Sequence, residues 1–234
     1  MRTFSLLAIL AVVLLPLPGR NLAYAASDGI PVQYNPRLNA ISGADLDRRL
    51  RAPFAEGVAH PKSILNCAQW LASRNRATRS LESESGARRS ALADCVMLQE
   101  LHKAVPAHSS YLHDLAWDER VLPLLPPQLA IAISAESKSA AETAASQGHT
   151  WRDFDPTATA SPGSKGPEEI VVSGNGFSER LVLWGRGDFT GDGLEDLLVQ
   201  SFDTLTEGSY RNTRLFVLTR RSANGPLTLI SSPL

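Results

Sequence analysis

After Pro167 the chain changes character. Five short runs rich in Val, Leu, Ile and Phe follow one another: Glu169 to Ser173, Arg180 to Trp184, Leu197 to Phe202, Thr213 to Thr219 and Leu227 to Ile230. Asn175-Gly176, Gly208-Ser209 and Asn224-Gly225 fall between runs, and these residue types suit tight reversals. Short spacings and tight turns predict a small antiparallel β-sheet over residues 168–234.

Upstream the pattern is helical. Ile64, Cys67, Trp70 and Leu71 fall at helical spacings, as do Ala91, Leu92, Cys95 and Leu98. Each cysteine therefore sits on the apolar stripe of its own helix, with a polar stretch from Arg74 to Arg89 between them and a turn at Ser85-Gly86. Two antiparallel helices with facing stripes would bring the sulfurs together. A shorter helix is expected before them, capped by Ser42 with Asp45 three residues on, burying Leu46 and Leu50 and closed by Pro53. Further along, Leu129 to Ser134 reads as a short strand, and Ala135 to Gln147 as a helix stopped by Gly148. Residues 155–167, rich in Pro, Gly, Ser and Thr, read as a linker or exposed loop and a domain boundary. The expected fold class is α+β: a mainly helical region over 26–154, then the sheet.

The first residues give an address. Met1-Arg2-Thr3 precede an apolar stretch from Phe4 to Leu17, and Ala23-Tyr24-Ala25 offers small residues at an exit. A basic start, about 7–15 apolar residues and such an exit define a secretory signal peptide. Residues 1–25 are read as that leader, with cleavage after Ala25. A spanning helix needs about 20 apolar residues, and Pro16, Pro18 and Gly19 interrupt this one. Export places Cys67 and Cys95, the chain's two cysteines, in an oxidising compartment, where an even count favours a disulfide. Losing Arg2 and Arg20 takes 23 basic residues to 21 against 24 acidic, a net charge of −3. That near-neutral balance argues against nucleic-acid binding.

Between the second and third runs stands Gly187-Asp188-Phe189-Thr190-Gly191-Asp192-Gly193-Leu194-Glu195-Asp196-Leu197. Oxygen side chains recur at 188, 190, 192 and 196, and Ca2+ takes about six to eight hard oxygen ligands in a flexible shell. A curled loop presents every second residue to an ion, and Gly191 and Gly193 permit the curl. Three carboxylates this close repel one another without a cation. One Ca2+ is therefore expected, held by the side chains of Asp188, Thr190, Asp192 and Asp196 and the Leu194 carbonyl. The loop is not an EF-hand, because Val199 stands where that motif needs its bidentate Glu.

The order strand, Asp-x-Thr-x-Asp-Gly-x-x-Asp, strand resembles the FG-GAP and VCBS-type repeat over Gly187 to Val199. That resemblance implies a calcium loop between strands of a sheet, often in extracellular recognition proteins. Thr190 stands where the family usually has Asn or Asp. A propeller needs several such units and the chain holds one copy, so the resemblance implies one borrowed hairpin or one blade-like sheet, not a propeller.

No nucleophile elbow, Ser-x-x-Lys, His-Glu-x-x-His or phosphate-cradling glycine loop appears. His102, His108 and His113 lie beside Ser109, Ser110 and Asp114, and a small exported hydrolase using this neighbourhood is the alternative reading. Trp70, Trp117, Trp151 and Trp184 are expected to fill cores. The reading that results is a periplasmic or secreted calcium-binding structural or binding module of the cell envelope, with an envelope protein or glycan as its partner. No reaction is assigned to it, and no later run is apolar enough to span a bilayer.

Overall fold

A computed structural model describes residues 24–38, 42–74 and 86–234. The leader up to Ala23 and most of the polar connection between the cysteines, including Ser85, lie outside the described residues. In chain order the elements are β1 (Tyr24–Ile30), β2 (Gln33–Tyr34), α1 (Gly43–Arg51), α2 (Cys67–Arg74), α3 (Gly86–Lys103), β3 (Ala107–Ser110), α4 (Ala135–Ser146), α5 (Trp151–Phe154), β4 (Thr159–Pro162), β5 (Glu169–Gly174), β6 (Phe177–Gly187), β7 (Asp196–Leu205), β8 (Arg211–Arg220) and β9 (Leu227–Ser231). Short 3-10 turns cover Pro36–Leu38, Glu119–Leu124 and Pro127–Leu129. The chain is α+β, as its sequence predicts.

Local chemistry explains the helix starts. The Ser42 hydroxyl accepts from the Asp45 amide at 3.2 Å while the Asp45 carboxylate accepts from the Ser42 amide at 3.2 Å. This reciprocal box satisfies two amides that a helix start would leave unpaired. Leu46 and Leu50 are the buried residues of α1. Ser134 and Ser137 build the same device at the start of α4. Cys67 opens α2, Cys95 lies within α3, and the two form a disulfide with Cα atoms 5.1 Å apart. Both are buried. Closing a loop of 28 residues is worth roughly 3.5 kcal/mol in the chain-entropy model.

The large sheet is an antiparallel meander in the order β4-β5-β6-β7-β8-β9. All five predicted runs lie within strands β5 to β9. The other edge of β6 is shared: β5 pairs with its first half, and β2 pairs at Gly185 and Arg186. The register slips by one residue at Trp184, whose indole N–H donates to Gln200 Oε1 at 2.6 Å.

Alternation along a strand sends neighbours to opposite faces, and here both faces are covered. Leu198, Leu215 and Val217 pack with Leu46, Trp70, Leu92, Cys95 and Leu101 of the helical layer. Leu181, Leu183, Leu197, Val199, Phe216 and Leu218 pack with Leu112, Trp117, Leu122, Leu125, Leu129 and Trp151 on the other side. Burial on both sides explains why Leu197 to Val199 of β7 and Leu215 to Leu218 of β8 are consecutive apolar residues rather than alternating ones. The helical and sheet regions thus share their cores.

Two stretches differ from their sequence reading. Within 155–167, read as linker or exposed loop, Thr159–Pro162 forms β4 and pairs with β5, and Ala158 is fully buried. Leu129 to Ser134 is not a strand. Pro126 and Pro127 set a 3-10 turn, and the Arg214 guanidinium donates to the carbonyls of Gln128, Leu129 and Ala130 at 3.2, 2.6 and 3.2 Å. Those backbone acceptors are satisfied by a side chain, so no ladder is needed.

Candidate metal centre

β6 ends at Gly187 and β7 begins at Asp196, so residues 188–195 are the connection between two paired strands. The buried Asp188 carboxylate organises it. Its Oδ1 accepts from the amides of Thr190 at 3.0 Å and Gly191 at 2.6 Å, and its Oδ2 from the Gly193 amide at 2.9 Å. Asp192 Oδ1 accepts from the Leu194 amide at 2.9 Å. Gly191 and Gly193 have φ of 80° and 82°, left-handed angles that a side chain would strain. The sequence therefore folds this loop on its own carboxylates, curling it as the Asp/Gly spacing predicts.

Asp188, Asp192 and Asp196 each offer a carboxylate oxygen, and these oxygens lie within 4.8 Å of one another. Asp188 and Asp196 are buried, whereas Asp192 is exposed. Asp196 is fully out of water. Its Oδ2 accepts from the Phe189 amide at 3.1 Å, but its Oδ1 is buried without a hydrogen bond. Burial raises the Asp196 pKa to about 6, and the negative charges of Asp192 and Asp188 push the same way. The Phe189 amide pulls it down, as does the neighbouring Thr219 hydroxyl, although that hydroxyl makes no hydrogen bond. No salt bridge among the described residues reaches any of the three acids.

The donor set suits a hard divalent cation. An orphaned buried anionic oxygen costs free energy unless a proton or a cation compensates it. Of the predicted ligands, the structure brings together Asp188, Asp192 and Asp196. Thr190 is exposed, with its hydroxyl 3.4 Å from Asp188 Oδ1, and the Leu194 amide donates a hydrogen bond to Asp192.

Sequence reasoning missed what holds the loop from outside. Residues 105–110, leading from α3 into β3, hydrogen-bond to it repeatedly. Val105 and Asp188 exchange backbone bonds of 3.0 and 2.9 Å, Gly193 O accepts from His108 N at 2.8 Å and Ser109 N at 3.1 Å, and Glu195 N donates to Ser109 O at 2.9 Å. The Ser110 hydroxyl donates to the buried Glu195 carboxylate. Nothing local in either segment signals this pairing.

The histidine neighbourhood does not converge. His102 Nε2 lies 3.9 Å from Asp47 on α1, the His108 side chain lies near Gly193, and His113 Nε2 is 2.8 Å from Asp114. Ser110 is committed to Glu195. Trp70, Trp117 and Trp151 are buried in the cores as expected, while Trp184 is half-buried.

A second acidic group lies on the same sheet. Glu179 of β6 and Asp203 of β7 are cross-strand partners, both buried, and Arg214 of β8 bonds both. Burial raises the Glu179 pKa well above its ordinary value, with Asp203 adding to the effect and Arg214 opposing it. Burial also works against the Arg214 charge, but Glu179 and Asp203 outweigh it and raise that pKa.

In comparisons with known proteins, no family model, no curated protein and no solved structure matches this chain.

Proposed function

We propose that this chain is an exported module whose β6–β7 loop binds one Ca2+ ion to stabilise the sheet and the segments docked on it. Asp188, Asp192 and Asp196 supply carboxylates, Thr190 a hydroxyl and Leu194 its carbonyl, with water completing the shell. The observation that supports this reading is Asp196 Oδ1, a buried anionic oxygen without a partner, among carboxylates less than 5 Å away. Ca2+ is favoured over Mg2+ because the smaller ion demands near-ideal octahedral geometry and keeps its waters. The leader-like start and the disulfide suit an oxidising compartment, periplasmic or extracellular. No helix among the described residues is long and apolar enough to cross a membrane. An envelope protein or glycan is the partner class we assign to such a module.

Titration of the oxidised protein with CaCl2 tests the proposal, followed by calorimetry with and without chelator. Ca2+ binding only the folded state adds about 2.7 kcal/mol when free ion is about 100 times Kd. The titration should show one site, and Asp196→Asn should abolish both the heat and the stabilisation. Superimposable melting curves with and without chelator would end the proposal.

A further inference from the structure

Residues 105–110 carry the chain from the helical layer on one face of the sheet to the aperiodic layer on the other. α3 packs with Leu198, Leu215 and Val217, whereas Leu112, Leu115 and Trp117 belong to the opposite core. The crossing passes the end of the sheet where β6 turns into β7. There, the backbone hydrogen bonds that join residues 105–110 to the large sheet end on Asp188, Gly193 and Glu195. These positions alternate with, or coincide with, the acids at 188, 192 and 196. Beyond the crossing, Arg186 donates to the carbonyls of Leu112 and Leu115 at 3.1 and 2.8 Å, an attachment that does not involve the loop.

We infer that cation binding at the loop governs the docking of this strap, so that Ca2+ depletion releases residues 105–110, together with the β1 strand paired to them, before the rest of the fold. The inference rests on the calcium reading above. The loop's backbone positions the Asp188 carbonyl, the Gly193 carbonyl and the Glu195 amide that the strap uses. Without a cation, the mutual repulsion of the three acids and the buried, unpartnered Asp196 oxygen work against the amide hydrogen bonds by which Asp188 and Asp192 curl the loop. A cation that stabilises the curled loop therefore stabilises the strap's anchor points, and by reciprocity a docked strap raises cation affinity. Ala107, fully buried within the strap, and Leu112 beyond it mark the apolar surface that release would uncover.

Hydrogen exchange on the full oxidised chain, with CaCl2 or with chelator, tests this. Adding Ca2+ should slow exchange at the His108, Ser109 and Glu195 amides by about tenfold or more, while β8 amides change little. Slowing confined to residues 188–194, with His108 and Ser109 unchanged, would overturn the strap inference and leave the calcium reading intact. No Ca2+ effect at any amide, together with no heat in the titration, would overturn both. The reciprocal arm uses Ser110→Ala, which loosens the strap without touching a ligand. Its Kd for Ca2+ should rise by about fivefold or more, and an unchanged Kd in a variant that melts cooperatively would also overturn the inference.

Discussion

Two groups of buried acids sit on one sheet and are compensated in different ways. Glu179 and Asp203 face each other across β6 and β7 with the Arg214 guanidinium between them, and that same side chain satisfies three carbonyls of residues 128–130. Asp188 and Asp196 are comparably buried, but among the described residues no basic side chain pairs with them. A sheet able to supply an arginine at one acidic site supplies only amides at the other, and amides partner all but one of the buried oxygens there. Each group keeps one buried carboxylate oxygen without a hydrogen bond, Glu179 Oε2 in the first and Asp196 Oδ1 in the second, so the difference lies in charge: a guanidinium faces the first group and no basic side chain the second.

Removing the internal cation is the most damaging change. Arg214→Ala leaves two carboxylates and three carbonyls buried without their donor, and breaking a buried pair this way costs about 3–5 kcal/mol. Urea denaturation should show that loss with Ca2+ present or absent. A loss that Ca2+ rescues would mean the two sites are not independent.

The two groups also differ in how pH and Ca2+ act on them together. Asp196 and Glu179 both have raised pKa values in the folded protein. A raised carboxyl pKa contributes stability below the unfolded value and loses it as pH rises through the folded one. For Asp196 that folded value is about 6. Metal-free protein should therefore melt at lower temperature as pH rises through about 6, and saturating Ca2+ should suppress that fall by favouring the ionised carboxylate. Asp196→Asn should remove the Ca2+-sensitive part in calorimetric pH series, and Glu179→Gln only a Ca2+-insensitive part. If both parts respond to Ca2+, the distinction between the sites fails.

The smallest effect is expected at Thr190. Its exposed hydroxyl lies 3.4 Å from Asp188 Oδ1, a weak neutral contribution beside three carboxylates. Thr190→Ala should weaken Ca2+ binding by about 1 kcal/mol, and titration should show Thr190→Asp tightening it. A Thr190→Ala loss as large as that of Asp196→Asn would displace the ion from where the carboxylates converge.

Features set by neighbours in sequence were legible, and features set by distant partners were not. Ser42 and Asp45 announce α1 because both halves of the cap lie within one turn. The curl at 188–196 was readable because Asp188 bonds amides two, three and five residues on. The cysteines were readable from helical spacing combined with the expected compartment. By contrast, Leu129 to Ser134 looks like a strand until Arg214, some 85 residues away, takes its carbonyls. β4 hides in a Pro- and Gly-rich composition that reads as loop, and the pairing of residues 105–110 with the β6–β7 connection leaves no periodic trace. Charge pairing across strands, as between Glu179 and Arg214, depends on register and escapes any local pattern.

Strand β8 has a consequence for how the chain matures. Phe216 and Leu218 belong to one core, and Leu215 and Val217 to the other. Every prefix of the polypeptide that ends before Arg211 therefore lacks part of both interiors, including prefixes already holding Cys67 and Cys95. Cys67 and Cys95 both precede β8 in the chain, so the bridge between the helices can close while neither interior is complete. Vectorial emergence thus separates covalent closure from final packing, and both interiors wait on β8.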